Sequence, residues 1–462
     1  MSEKNMKENL QSFAIKKALD YLDEDPDKSL PKLLSWADRF DKDDLFIKQR
    51  RVFHNIIENP DNNWYKLIKS LWTDVAPEVR KTFFENFIVN TSLIGAGKQN
   101  KAKEKYHCNI PWAILMDPTS ACNLHCTGCW AAEYGNKLNM SYETLHDIIR
   151  QGTEVGTFMY IYSGGEPLVR KDDIIRLCEA HPDCMFLAFT NGTLIDEKFA
   201  NEMLRVKNFI PAISVEGFEE DTDFRRGEGT YQAVMHAMDI LRERKLVFGA
   251  SCCYTSKNID SISSEAYMDH LIEKGAKFAW FFHYMPVGNE AVPDLLPSPE
   301  QREVMYHKIR EYRKTKPIFT IDFQNDGEFV GGCIAGGRNY LHINANGDIE
   351  PCAFIHYSDS NIHEKTLLEA YQSPFFMAYK EGHPFNENPL RPCPMLENPE
   401  CLQAMVKRSG AHSTDMQSPE SAEHLCSKCV PYAQNWIPTA NKLWGCSQGC
   451  QECQSCEKKS II

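Results

Sequence analysis

The sequence predicts an α/β protein whose central part is a parallel β-sheet covered by helices. Short apolar segments alternate with helix-like segments six times between residue 112 and about residue 315. A segment with a helical pattern precedes this alternation, and a segment rich in cysteine follows it. We therefore expect three domains, at residues 1–105, 106–320 and 321–462.

The composition narrows the class of protein. The chain has 462 residues and a net charge of −13, which argues against a broad nucleic-acid-binding surface. No apolar run reaches the roughly 18 residues of a transmembrane helix, and the polar start MSEKNMKENL does not resemble a signal peptide. We expect a cytoplasmic protein with no nucleic-acid partner. In that compartment, 18 cysteines favour metal or redox chemistry over disulfide bonds.

The N-terminal segment has the spacing of amphipathic helices. Apolar residues recur at intervals of three and four in one face, which comprises Trp64, Leu67, Ile68, Leu71 and Trp72. A packed helical domain explains this pattern, and a surface that presents substrate or contacts a membrane is the alternative. The polar, basic segment 95–109 is predicted to be a linker.

The central alternation predicts six strands with helices between them. The strand candidates are WAILM (112–116), TFMYIYS (157–163), MFLAFT (185–190), FIPAISV (209–215), LVFGASCCYT (246–255) and FAWFFHYM (278–285). Several are almost wholly apolar, which is typical of parallel strands buried on both faces. Six repeats fit an open doubly wound sheet or an incomplete barrel, and both bind ligands at the carboxyl ends of the strands.

Three cysteines follow the first strand within eight positions, in the stretch CNLHCTGC. They are Cys122, Cys126 and Cys129. Thiolates suit iron–sulfur clusters, and a [4Fe–4S] cluster normally takes four of them. A structural zinc would also need a fourth ligand, and His125 is awkwardly placed to serve with its neighbour Cys126. The three thiols therefore indicate a cluster with one open iron.

The C-x3-C-x2-C spacing after the first strand of a six-repeat unit resembles the radical S-adenosylmethionine (radical SAM) enzymes. This resemblance implies a partial (β/α)6 TIM-like barrel and a [4Fe–4S] cluster whose open iron chelates SAM. It also implies reductive cleavage of SAM to a 5′-deoxyadenosyl radical, with electrons from an external donor such as flavodoxin or ferredoxin.

The resemblance extends to the ends of later strands. YSGGEP resembles the family's GGE motif, which implies that Gly164, Gly165 and Glu166 hold the SAM amino group. TNG (190–192) ends the third strand in the same manner, and YMPVG (284–288) ends the sixth, where backbone groups meet the adenine.

Further SAM contacts are expected after the fourth strand. SVEG offers Ser214 and Glu216 for the ribose hydroxyls, and Arg225 or Arg226 can pair with the SAM carboxylate. One position departs from the family, because Gly128 stands where a bulky residue usually touches the adenine. Trp130 is expected to compensate by packing nearby.

The C-terminal segment resembles SPASM and twitch domains, which hold auxiliary [4Fe–4S] clusters. Cys333, Gly347 and Cys352 match the opening pattern C-x9–15-G-x4-C, and NANG predicts a hairpin turn at this glycine. The rest of the SPASM pattern is missing. We predict one auxiliary cluster bound by Cys333, Cys352 and Cys393, with Cys401 as the fourth ligand.

The last cysteines predict a further metal site. Cys426, Cys429, Cys450 and Cys453 form two C-x2-C pairs with the spacing of a zinc or rubredoxin-like iron site. Two alternatives remain: a [4Fe–4S] centre bound by the dense run 446–456, and a partly disordered tail.

The sequence thus predicts a hydrogen-abstracting enzyme, with no catalytic side chain assigned beyond the cluster. Auxiliary clusters in this family often accompany peptide or protein substrates, which we prefer. A lipid or isoprenoid substrate, functionalised or coupled at carbon, is one alternative. A non-catalytic iron–sulfur protein that transfers electrons is the other.

Overall fold

The computed structural model describes residues 25–40 and 47–448. Its first part is entirely helical, in the segment where amphipathic helices were predicted. The helices are α1 (Pro26–Phe40), α2 (Ile47–Ile57), α3 (Asn63–Thr73), α4 (Pro77–Phe83), a π-helix (Phe84–Gly95) and α5 (Ala96–Tyr106). The predicted linker is thus wrong, because most of that segment forms α5.

Seven strands follow, one more than predicted. They are β1 (Ala113–Met116), β2 (Met159–Tyr162), β3 (Met185–Thr190), β4 (Phe209–Ser214), β5 (Gly249–Tyr254), β6 (Phe278–His283) and β7 (Phe319–Asp322). The helices between them are α6 (Tyr142–Val155), α7 (Lys171–Ala180), α8 (Glu197–Val206), α9 (Glu219–Arg226), α10 (Thr230–Glu243), α11 (Ile259–Ile262), α12 (Glu265–Lys274) and α13 (Pro299–Thr315).

Local sequence explains where these helices begin and end. Ser141 caps α6 by accepting a hydrogen bond from the amide of Thr144, and Gly156 ends it in the left-handed conformation. Ser298 and Gln301 form a reciprocal capping box at the start of α13.

The sheet has the order of a barrel. Its first seven strands run in the order β7-β6-β5-β4-β3-β2-β1, all parallel neighbours in sequence order, and two later strands of the C-terminal segment continue the sheet beyond β1. A doubly wound sheet would reverse its strand order at a switch point. The prediction of a partial barrel is therefore confirmed, and all seven carboxyl ends lie at one edge.

The C-terminal segment extends the same sheet. Strand β8 (Tyr340–Ile343) pairs in parallel with β1, and β9 (Ile349–Glu350) pairs antiparallel with β8. Gly347 lies in the turn between them with a φ of +90°, so the predicted hairpin is confirmed. Two short strands, β10 (Tyr357–Ser358) and β11 (His412–Ser413), pair with each other.

Five helices complete this segment. They are α14 (Gly327–Val330), α15 (Leu367–Tyr371), α16 (Pro374–Gly382), α17 (Pro399–Ser409) and α18 (Ala422–Ser447). Their apolar side chains join those of the barrel in one continuous core, whereas Leu30, Ile57 and Tyr65 of the N-terminal helices form a small separate cluster. No helix in the described chain has both the length and the apolar character needed to cross a membrane.

Candidate active site

The loop after β1 brings its three cysteines together at the carboxyl edge of the sheet. The amide of Leu124 donates to Cys122 Sγ at 3.4 Å. Burial raises the pKa of Cys122 to about 11, and the nearby Cys126 and Cys129 thiols contribute to the shift. Bound iron would have to displace these protons, because only the thiolate is a ligand.

The GGE turn packs directly on this loop. The amides of Gly165 and Glu166 donate to the carbonyls of Thr119 and Ala121, at 3.0 and 2.8 Å. A Cβ atom on Gly165 would lie 2.2 Å from the Ala121 carbonyl oxygen, and Gly164 has a φ of +100°. Glycine is needed here because the turn lies against the backbone that leads into Cys122.

Glu166 braces this turn against the end of β3. One carboxylate oxygen accepts from the amide of Leu168 and the hydroxyl of Thr190, at 2.9 and 2.6 Å. The other accepts from the amide of Asn191 at 2.7 Å. The carboxylate predicted to hold the SAM ammonium group thus already has three donors within the protein.

The TNG segment is tied to the cysteine loop by side chains that the sequence analysis did not single out. Asn191 donates to Asn123 Oδ1 at 2.9 Å, and Asn123 donates to Thr193 Oγ1 at 2.8 Å. The motifs at the ends of β1, β2 and β3 therefore form one hydrogen-bonded unit.

Glu216 holds both candidate arginines. It is fully buried and lies 2.8 Å from Arg225 Nη1 and 2.6 Å from Arg226 Nη2. Burial alone would raise its pKa, but Arg226 and Arg225 hold the pKa of the Glu216 carboxyl below its usual value. A carboxylate so engaged is a poorer ribose ligand than expected, whereas Ser214 remains at the end of β4 beside β5.

The two arginines differ in their neighbours and in their unpaired nitrogen atoms. Arg226 lies beside the cysteine loop, with Nη1 3.9 Å from Cys126 Sγ. Arg225 Nε is buried and has no hydrogen-bond partner among the described residues. An unpaired buried donor costs free energy, so Arg225 is the arginine whose surroundings fit an incoming carboxylate.

Tyr284 explains the departure at Gly128. A Cβ atom on Gly128 would lie 2.7 Å from the Tyr284 ring, so the tyrosine at the end of β6 fills the space of a side chain there. Trp130 does not compensate as expected. It packs edge-on against His342, Phe354 and His356 of the C-terminal segment instead.

The inside of the barrel has an aromatic wall that was not predicted. Along β6, Phe278, Trp280 and Phe282 are partly exposed, while the residues between them are buried. The Trp280 and Phe282 rings stack at 5.5 Å, and Phe189 meets both edge-on. Trp280 Nε1 has no partner in the described part of the chain. The sequence signal that could have revealed this wall is the aromatic residue at every second position of FAWFFH.

A buried ionic group joins β1 to β8 and was also missed. His342 lies 3.0 Å from Asp117 Oδ1 and 2.6 Å from Glu350 Oε2, and all three side chains are fully buried. Burial would lower the pKa of His342, but the two carboxylates raise it to about 10. The imidazole is thus a cation between two anions, and Tyr134 donates to the same glutamate.

Three of the four predicted auxiliary ligands converge. The thiols of Cys333, Cys352 and Cys393 lie within electrostatic range of one another and of the Tyr379 hydroxyl. Cys426 also acts on this hydroxyl, which is buried and has no hydrogen-bond partner among the described residues. An unpartnered donor among four thiols fits a sulfur-containing group bound there.

Cys401 and the second metal site are placed differently. Cys401 lies on the first turn of α17, and the charged group acting on its thiol is Glu400. Cys426 and Cys429 are buried on α18, while Cys450 and Cys453 lie outside the described residues. Within the described ranges, no three Cys, His, Asp or Glu side chains are arranged to hold a single metal ion.

Comparison with known proteins agrees with this geometry. Residues 116–256 match the model of the Radical SAM superfamily. An uncharacterised protein of Archaeoglobus fulgidus is 39% identical over 129 residues, but these cover only 27% of this chain and 30% of that protein.

Longer matches are more distant. The AdoMet-dependent heme synthase of Methanosarcina barkeri is 22% identical over 57% of this chain and 83% of its own length. PqqA peptide cyclase of Granulibacter bethesdensis is 22% identical over 61% and 79%. The structure of Streptococcus suis SuiB bound to S-adenosylmethionine is 17% identical, with a TM-score of 0.53 over 67% of this chain and 81% of that one. With its cysteine loop, barrel order and matched residues 116–256, the chain contains a domain of the Radical SAM superfamily.

Proposed function

We propose that this chain is an enzyme that reductively cleaves SAM at a [4Fe–4S] cluster bound by Cys122, Cys126 and Cys129. When bound, the cluster and SAM supply a 5′-deoxyadenosyl radical that abstracts a hydrogen atom from the substrate. The observation that carries the proposal is the three-thiol loop at the carboxyl edge of the sheet, hydrogen-bonded to the segments that follow β2 and β3.

The neighbouring residues have separate tasks in this proposal. Arg225, whose buried Nε has no partner among the described residues, would hold the SAM carboxylate, and Glu216 holds that guanidinium in place. Arg226 offsets the negative charge of the thiolates beside Cys126. Ser214 binds the ribose, and Glu166 keeps Gly164 and Gly165 in the turn that receives the amino group.

We further propose one auxiliary [4Fe–4S] cluster bound by Cys333, Cys352, Cys393 and Cys426. Cys426 replaces Cys401 in this set because its thiol shares the surroundings of Tyr379 with the other three. The zinc or rubredoxin-like iron site predicted for Cys426, Cys429, Cys450 and Cys453 stays a prediction, and assigning Cys426 to the auxiliary cluster would leave it three of its four ligands. Electrons come from an external carrier such as flavodoxin or ferredoxin.

The proposed substrate is a peptide or protein. The relative PqqA peptide cyclase is matched over 79% of its own length, and its name refers to a peptide. The wall of Phe189, Trp280 and Phe282 suits a bulky uncharged side chain. A tetrapyrrole is the second candidate, since the same flat rings could stack on it and another relative is a heme synthase. The lipid and electron-transfer alternatives stay predictions.

The test is formation of 5′-deoxyadenosine. The protein is reconstituted with iron and sulfide, reduced anaerobically with dithionite and supplied with SAM. We expect 5′-deoxyadenosine from the wild type and from Cys108→Ala, a control variant of a buried cysteine in the main core. Absence of product from protein with full cluster content would contradict the proposed function.

A further inference from the structure

We propose that a small acidic one-electron carrier protein docks on a cationic face beside Cys333. This face consists of Lys103, Arg338 and Lys380, with His107 and His383 at its margin. The inference rests on the proposed function only in that Cys333 is taken to hold the auxiliary cluster.

Arg338 binds the loop that carries Cys333. Its Nε donates to the Cys333 carbonyl at 2.7 Å, and its Nη2 donates to the carbonyls of Val330 and Gly332 at 2.6 and 3.2 Å. These partners are neutral, so the guanidinium keeps its full positive charge. That charge is held against the backbone of Cys333, the residue predicted to bind the auxiliary cluster.

The other cations lie next to this arginine without neutralising partners. Burial and the neighbouring Arg338 both lower the pKa of Lys103. Lys380, on α16, donates to the His107 carbonyl at the end of α5. Among the described residues, Lys103, Arg338 and Lys380 make no ion pair with a carboxylate, so their mutual repulsion is uncompensated within the chain.

Two carboxylates close to this face in sequence, Glu328 and Glu381, are paired with other arginines. Glu328 pairs with Arg310 at 2.5 Å, and Glu381 pairs with Arg408 at 2.7 Å. Among the described residues, neither carboxylate forms an ion pair with Lys103, Arg338 or Lys380. An anionic surface brought in from outside would therefore supply charge that the fold itself does not.

Two exposed apolar side chains and a short path to the thiols lie beside the face. Phe329 and Val330, four and three residues before Cys333, are 61% and 40% exposed, and Arg338 donates to the Val330 carbonyl. Cys333 and Cys393 are partly exposed rather than buried. An apolar spot with a charged rim is typical of small, transient protein interfaces.

Charge distribution selects the class of partner. The whole chain carries −13, so most of its surface repels an acidic protein. A local group of unpaired cations then both attracts such a protein and orients it toward one site. In the transfer itself one electron leaves the carrier, which is oxidised, and enters the cluster, which is reduced; no covalent bond changes.

The experiment measures binding of an acidic [2Fe–2S] ferredoxin to the reconstituted protein by fluorescence anisotropy. The test variant is Lys103→Glu/Lys380→Gln. The matched control is Lys66→Glu/Lys198→Gln, which makes the same charge change at exposed lysines on α3 and α8. We expect Kd to rise about ten-fold or more in the test variant and less than about two-fold in the control at low salt.

The dependence of ferredoxin affinity on salt concentration tests the docking site in the wild type, without any substitution. Affinity should fall steeply as ionic strength rises from about 0.05 to 0.5 M, and this slope should flatten in the test variant alone. Equal affinities in the test variant and the control would overturn the docking site.

A separate readout distinguishes this inference from the proposed function. Dithionite reaches the protein without docking, so dithionite-driven cleavage of SAM should be unchanged in both variants. Failure of that reaction in the wild type contradicts the proposed function, whereas the ferredoxin affinities still decide the docking site.

Discussion

The two cysteine regions of this protein are built in opposite ways. Cys122, Cys126 and Cys129 lie in one short loop, whose spacing alone predicts a ligand set. Cys333, Cys352, Cys393 and Cys426 come from four separate segments and meet around Tyr379 only in the folded chain. A local ligand set can be read from sequence, whereas a dispersed one depends on the packing of α16, α17 and α18.

The largest effect is expected from the local set. Cys126→Ala removes one of three ligands and should lower the rate of 5′-deoxyadenosine formation by more than about 100-fold, the upper range for losing an outer-shell partner. Product is quantified by chromatography after dithionite reduction. Turnover close to that of Cys108→Ala would show that Cys126 is not a ligand.

The dispersed set is tested by a pair of variants. Cys426→Ala should lower the iron content by about four per chain, because a cubane with three protein ligands is less firmly held. Cys401→Ala is the matched control and should leave the iron content unchanged. Both variants should retain the spectroscopic signal of the SAM-binding cluster. The opposite pattern would restore Cys401 as the fourth ligand.

The buried ionic group that joins β1 to β8 is expected to stabilise the fold. His342→Gln leaves the carboxylates of Asp117 and Glu350 buried without their cation, which should cost about 3–5 kcal/mol of unfolding free energy. The loss is measured by denaturant unfolding. A change below about 1 kcal/mol would mean that the group contributes little to stability.

The same histidine predicts a pH dependence. Its folded pKa of about 10 lies above the unfolded value of about 6.5, so its stabilisation is complete below about pH 6.5 and is lost as the pH rises toward 10. The wild type should lose stability across that window, and His342→Gln should lose less. Parallel pH profiles would contradict this assignment.

The smallest effect is expected at Gly128. Gly128→Ala should cost about 1–2 kcal/mol of unfolding free energy, because the residue has a φ of +66° and its new methyl group would meet Tyr284. Adding Tyr284→Ala should recover the part due to the clash. A double-mutant cycle on thermal or denaturant unfolding measures the coupling, and a coupling of zero would exclude the contact.

Periodicity and spacing predicted much of the fold. Six strands, the N-terminal helices, the hairpin at Gly347 and the cysteine loop were all recognised because each has a local pattern. Strand β7 was missed because its four residues, FTID, are too short and polar to stand out. Segment α5 was taken for a linker because its many lysines hide the helix that packs Ala102 on the core.

Side-chain pairing could not be predicted in the same way. By residue type, a SAM contact was predicted for each of Glu216, Arg225 and Arg226. In the fold, Glu216 instead forms ion pairs with both arginines, which lie nine and ten positions later in the sequence. Likewise, the group of Asp117, His342 and Glu350 joins residues more than two hundred positions apart. No local signal marks such a pair in a single sequence.

The pairing of β8 with β1 has a consequence for the growing chain. One edge of β1 has no neighbour until Ile343 has left the ribosome, more than two hundred residues after Met116. At bacterial rates of synthesis this interval lasts roughly ten to fifty seconds. During that time an apolar, unpaired edge is open to other nascent chains. Slow translation of the codons for residues 117–343 should therefore increase aggregation of this protein.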